Sequence, residues 1–107
     1  MKSARILVVD DEANIRKLLD EILSEEGYEV TTADDAEEVR QARKRSDFDL
    51  VLLDIWMPDT DGISLLKEWA ESETLGPVVM MSGHGTVDAA VEATRLGAVD
   101  FIEKPVS

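Results

Sequence analysis

Leu50-Val51-Leu52-Leu53-Asp54 is a run of four apolar residues closed by an acid, with Pro58 and Gly62 marking a loop directly afterward. Continuous apolar runs this short suit strands buried on both faces, as in parallel sheets. The same form recurs at Ile6-Leu7-Val8-Val9, at Val78-Val79-Met80-Met81 and, more briefly, from Val99 to Ile102. A fifth candidate, Tyr28 to Thr32, is polar and alternating, the pattern of an edge strand. Helical stretches fill the intervals. Ile15, Leu18, Leu19, Ile22 and Leu23 recur at three- and four-residue spacings and make a one-sided stripe that Gly27 can terminate. Asp35 followed by Glu38 predicts a capping box opening a second helix, with Val39 and Ala42 facing inward and a basic outer face of Arg40, Arg43, Lys44 and Arg45. A third helix is expected from about Gly62 through Leu65, Leu66 and Trp69, and a fourth through Val87, Ala90, Val91 and Thr94 to Gly97.

Strand and helix in strict alternation, with right-handed crossovers, predict an α/β fold: a doubly wound, five-stranded parallel sheet of the flavodoxin-like kind. The 107 residues suffice for one domain, 1–107, with no internal boundary. The pattern stops after the fifth strand at Lys104-Pro105-Val106-Ser107, where a further helix would be expected, so the domain reads as truncated before its final helix.

Composition excludes several functions. The chain has no cysteine, which removes disulfides, thiolate catalysis and sulfur-based zinc sites. A formal net charge of −13 opposes direct binding to nucleic acid, which needs basic side chains against phosphates. No apolar run approaches a membrane span, and the opening Met1-Lys2-Ser3-Ala4-Arg5 leads into a strand rather than a signal peptide, so the expected location is cytoplasmic.

Ligands of doubly wound sheets gather at the carboxyl ends of the strands. Here Asp10 and Asp11 follow the first strand, Asp54 ends the third, Ser82 ends the fourth and Lys104 follows the fifth. Each alone has an ordinary explanation: a helix cap for Asp10, Asp11 or Ser82, a turn for Asp54, a solvated surface for Lys104. Their joint placement at successive strand ends does not. Three carboxylates drawn together repel one another unless protons or a metal neutralise them. An all-oxygen donor set favours a hard cation such as Mg²⁺, which commonly joins protein carboxylates to a phosphate. Lys104 could then hold one phosphoryl oxygen and Ser82 donate to another.

Asp10-Asp11-Glu12, Asp54-Ile55-Trp56-Met57-Pro58, Gly62, Met81-Ser82-Gly83 and Phe101-Ile102-Glu103-Lys104-Pro105 resemble, in order and spacing, the response-regulator receiver domains of two-component systems. Met81-Ser82-Gly83-His84-Gly85 and Gly97-Ala98-Val99-Asp100-Phe101 are most similar to receivers of the nitrogen-regulation type, NtrC and NtrX. The resemblance implies strand order 2-1-3-4-5. It also implies that Asp54 is the phosphoacceptor, charged from a sensor histidine kinase, and that the domain catalyses its own Mg-dependent phosphorylation and dephosphorylation without being a conventional enzyme. Asp11 and Asp54 would bind the metal directly, Asp10 through water, and Trp56 through its backbone carbonyl. Ser82 and Lys104 would grip the phosphoryl group, and Ser82 with Phe101 would form the switch. Phe101 stands where Tyr is common in the family. Lys104-Pro105 would be a cis peptide, and His84 and Trp56 stand where side chains could shield the water that attacks the phosphoryl group.

The expected output surface is the fourth helix with the fifth strand, which could also pair two copies. The implied covalent neighbours are ATPase and DNA-binding output domains of a transcription regulator. Three rival readings are a phosphorylation-independent interaction module of the same fold, a flavodoxin-like cofactor binder and a metal-dependent phosphatase. Intact Asp54, Ser82 and Lys104 oppose the first, and an acidic rather than glycine-rich first loop opposes the second. Phosphate retained on the protein would exclude the third.

Overall fold

A computed structural model describes residues 3–55, 57, 62–74, 76–83 and 87–103. The elements run β1 (Arg5–Val9), α1 (Ala13–Glu25), β2 (Glu29–Ala33), α2 (Ala36–Arg45), β3 (Leu50–Asp54), α3 (Gly62–Glu71), β4 (Val78–Ser82), α4 (Val87–Leu96) and β5 (Asp100–Glu103). Five strands form one parallel sheet in the order β2-β1-β3-β4-β5, as the resemblance implied. β2 and β5 each lie one residue later than their apolar runs suggested. In β2 the ladder pairs Glu29 through Ala33 with Arg5 through Val9, leaving Tyr28 outside it and 41% exposed.

The order explains which helix covers which face. The chain leaves β1 toward β2 through α1, then crosses back over β1 and moves the other way through α2, α3 and α4. Because each crossover is right-handed, the reversal puts α1 on one face and the other three helices on the opposite face. Side chains alternate accordingly. Ile6, Val8, Leu52 and Met81 pack with Leu19 of α1, against which Ile15 and Leu23 also rest. Leu7, Val9, Val51, Leu53 and Met80 form the larger core with Val39 of α2, Leu65, Leu66 and Trp69 of α3, and Ala93 of α4. Ile22 shares the α1 stripe by spacing but is 46% exposed, because α1 lies by itself on its face among the described elements.

The local signals at the helix ends act as expected. Asp35 accepts a hydrogen bond from the Glu38 backbone N–H at 2.8 Å, and the Glu38 carboxylate accepts from the Asp34 N–H at 2.8 Å. Gly27 follows α1 at φ 94°, which lets Gly27 N–H reach Ser24 O and Tyr28 N–H reach Leu23 O. The outer face of α2 differs from expectation. Only Lys44 and Arg45 of its four cations are exposed, whereas Arg40 pairs with Glu68 of α3 and Arg43 lies over the Trp69 ring. Helical spacing placed these residues outside, but the neighbouring α3 turns that side of α2 into an interhelical seam.

Candidate functional site

Strand order reverses between β1 and β3, and that is where the chemistry-bearing residues converge. Val9 pairs with Leu53 at the last position of the β1–β3 ladder, so Asp10 and Asp54, each one residue further on, stand at the same level on neighbouring strands. On β3's other side Asp54 pairs with Met81, and Ser82 follows. Asp10 is 0% exposed, Asp54 1% and Ser82 0%; these are the buried polar or charged residues among those described. A sheet edge that buries two carboxylates and a hydroxyl, while the other acids among the described residues are exposed or half-buried, runs against the cost of desolvating charge. Such an arrangement persists where the groups meet compensating partners or do chemistry.

Backbone geometry holds each one. Asp10 N–H donates to Ala33 O at 3.1 Å, tying the end of β1 to β2. The Asp10 carboxylate accepts from Glu12 N–H at 2.9 Å, which bends the chain into α1, and Arg16 Nη1 donates to Asp10 O at 2.8 Å from one turn inside that helix. Glu12 is the residue before α1 and makes no side-chain cap, so the work of a cap passes to Asp10. Asp11 and Glu12 are exposed beside it, and one carboxylate oxygen from each of Asp10, Asp11 and Glu12 lies within 4.8 Å of the other two. This is an oxygen-only donor set suited to a hard divalent ion.

Asp54 is fixed from the other side. Ile55 N–H donates to Met81 O at 3.0 Å, and Gly62 N–H donates to Ile55 O at 2.6 Å, closing the loop that leaves the strand. Gly62 has no room for a side chain: a Cβ there would collide with the Asp54 carbonyl oxygen and lie 3.0 Å from Asp54 C and 3.1 Å from Ile55 Cα. Met57, two residues beyond Ile55, is buried in the larger core.

The structure thus brings Asp10, Asp11 and Asp54 to one edge with Ser82 on the next strand. Phe101 is half-buried, pairs with Met80 and packs against the larger core, within the strand adjoining that of Ser82. Trp56, His84, Lys104 and the Lys104-Pro105 bond lie outside the described residues. Arg16 was missed by the sequence reading, and Glu12 was read only as part of the Asp10-Asp11-Glu12 motif, with no role of its own. An arginine one turn into a helix that follows an acidic strand end was the available signal, but spacing on a helix does not say that the side chain folds back onto the preceding loop.

Residues 6–107 match the family model of the response regulator receiver domain. The transcriptional regulatory protein FixJ of Bradyrhizobium diazoefficiens is 45% identical over 100 residues, covering 94% of this chain and 49% of FixJ. The chain spans still less of other regulators that it matches, 22% of regulatory protein AtoC of Escherichia coli among them. In three dimensions it resembles the receiver domain of NtrX from Brucella abortus, at 50% identity and TM-score 0.86, over 95% of this chain and 87% of that one. The beryllofluoride-activated NtrC4 receiver domain dimer is similar too, at 44% identity and TM-score 0.87, over 96% and 85%. Receivers as a family are phosphoacceptors of two-component signalling that bind Mg²⁺ through acidic residues, and with five parallel strands in the order 2-1-3-4-5 and a buried acid at the switch point, this chain belongs to the response regulator receiver family.

Proposed function

We propose that Asp54 is the phosphoacceptor of this domain and takes its phosphoryl group from a phosphohistidine of a sensor histidine kinase. The observation that carries this reading is the burial of Asp10, Asp54 and Ser82 together at the carboxyl ends of three adjacent strands. In the transfer, an Asp54 carboxylate oxygen forms the new P–O bond in line with the breaking P–N bond, and the departing imidazole nitrogen takes up a proton. Water attacking the same phosphorus later releases inorganic phosphate and restores the carboxylate. Catalysis of this kind is mainly positioning and charge neutralisation. The strand ladder and the Gly62–Ile55 hydrogen bond supply the positioning.

Asp11 and Asp54 would hold a Mg²⁺ ion directly, Asp10 through water and Trp56 through its backbone carbonyl; the exposed Asp11 beside the buried Asp10 fits a site open to solvent on one side. Bound there, the ion supplies positive charge to the phosphoryl oxygens. Ser82 donates a hydrogen bond to a phosphoryl oxygen and Lys104 holds another. When Ser82 turns toward the phosphoryl group, Phe101 rotates inward, and α4 with β5 reports the change to the output domains. Val91 of α4, Val99 in the connection and Ile102 of β5 are exposed at 45%, 64% and 40%, apolar surface of the kind that pairs with a partner or a second copy. The output domains are an ATPase and a DNA-binding domain of a cytoplasmic transcription regulator. The face that α1 covers also carries half-buried Val79 and exposed Ile102, and a further amphipathic helix after β5 would cover them.

The test is mass spectrometry after treatment with acetyl phosphate, with and without Mg²⁺. The expected result is a Mg-dependent gain of one phosphoryl group that is stable in acid, labile in base and absent from Asp54→Ala. No adduct, or one that survives Asp54→Ala, overturns the assignment.

A further inference from the structure

A second concentration of charge lies at the opposite end of the sheet. There an open cleft of about 570 Å³ is lined by Arg40, Arg43 and Lys44 of α2, Glu68 and Trp69 of α3, and Phe48 in the connection to β3. Its volume is within the range of small-molecule sites. It touches Val51 near the start of β3, about 10 Å along the strand from Asp54 at 3.3 Å per residue.

The cations in this cleft are not equivalent. Arg40 is committed to Glu68 through hydrogen bonds of 2.9 and 3.2 Å, which hold the Glu68 carboxyl below its ordinary pKa. Arg43 has no carboxylate partner among the described residues. Its guanidinium lies 4.0 Å from the centroid of the Trp69 ring, Nη2 donates to the Thr74 carbonyl, and Nη1 is buried without a hydrogen-bond partner among the described residues. Desolvation disfavours its charged form. Lys44 is exposed one residue on, likewise with no ion pair among the described residues. Asp47 also borders the cleft. With Arg40 and Glu68 neutralising each other, two cations face one acid, on a chain whose net charge is −13.

A partly buried guanidinium stacked on an indole is held in place by a cation–π contact, with its remaining donors in a fixed plane. Holding a partly buried guanidinium charge with no carboxylate opposite it costs free energy that an oxyanion in the cleft would offset. Trp69, Phe48 and Pro77 give the cleft apolar walls, so an anion with a hydrocarbon body gains more there than a bare one. We propose that this cleft between α2 and α3 is a binding site for a small organic oxyanion, a carboxylate or phosphate monoester with an apolar body, held by Arg43 and Lys44. The site is separate from the phosphoacceptor edge and independent of whether Asp54 is phosphorylated.

Titration of ¹⁵N-labelled chain without Mg²⁺ at low ionic strength tests it, with benzoate and phenyl phosphate as probes and benzyl alcohol as the uncharged control. Saturable shifts of the Trp69 indole N–H with at least one of the two anions are expected, and the preferred anion identifies carboxylate or phosphate chemistry. Arg43→Gln should weaken binding about tenfold or more, the loss expected for a charge-assisted hydrogen bond. Lys44→Gln, altering only an exposed side chain, should weaken it several-fold and keeps the test decisive if Arg43→Gln does not fold. The proposal is overturned if neither anion shifts Trp69 saturably, if both variants bind like the parent, or if benzyl alcohol binds as tightly as benzoate.

Discussion

Replacing Gly62 by alanine adds one methyl group at the point where α3 begins, and the structure says what that group meets. Its carbon would overlap the Asp54 carbonyl oxygen and press on Asp54 C and Ile55 Cα at 3.0 and 3.1 Å. All three atoms are backbone, so no side chain can swing aside; either the end of β3 or the first turn of α3 must move. Gly62 φ is not in the left-handed region, so the cost is steric rather than conformational. Overpacking of this kind costs about 1–3 kcal/mol. Strain on the 2.6 Å Gly62–Ile55 hydrogen bond adds up to about 1 kcal/mol. The helix propensity of alanine returns up to about 1 kcal/mol, less at the first position of a helix than in its interior. The net is about 1–3 kcal/mol, which for a domain of this size lowers Tm by about 5–20 °C. Function should suffer beyond stability, because the colliding atom belongs to Asp54, the proposed phosphoacceptor. A displacement of about 1 Å at a reacting group can cost about a hundredfold in rate. Thermal melting by circular dichroism and the rate of phosphorylation by acetyl phosphate, measured well below the variant's Tm, separate the two effects. A variant that melts with the parent and is phosphorylated at the parental rate would refute the claim that close approach of Gly62 positions Asp54.

Two further outcomes follow from the same geometry. Mg²⁺ should raise Tm, since an ion bound only by the folded chain at a hundred times its Kd adds about 2.7 kcal/mol, or roughly 10–20 °C here; the shift should vanish in Asp10→Asn and Asp54→Asn, and a shift unchanged in both would remove the acidic edge as the binding site. Asp35→Ala deletes the acceptor for Glu38 N–H and should cost about 1 kcal/mol in urea denaturation while leaving the phosphoryl adduct on Asp54 intact, so an unchanged midpoint would show that this cap does not stabilise α2.

The sequence by itself determined the alternation of strand and helix, because buried parallel strands need unbroken apolar runs and helices on them need a one-sided stripe. It determined the caps at Asp35 and Gly27, which act through hydrogen bonds and dihedrals only a few residues apart. It also marked Asp10, Asp11, Asp54 and Ser82, since strand ends are visible as the places where apolar runs stop. Strand order came from family resemblance, for nothing local in a strand names its neighbour.

Tertiary structure decided the rest. Asp10 and Asp11 are adjacent and look alike in the sequence, yet one is buried and the other exposed, because only Asp10 continues the sheet beside β3. Gly62 reads as the start of the third helix, but that it starts against the Asp54 carbonyl, with no room for a Cβ, is visible only in the packed structure. Arg40 and Arg43 have the spacing of a solvated face and become a seam only because α3 packs beside α2, bringing Glu68 and Trp69 to them from 28 and 26 positions along the chain. Periodicity reports which side of an element is apolar; which residue stands opposite is set by how elements far apart in the chain pack together.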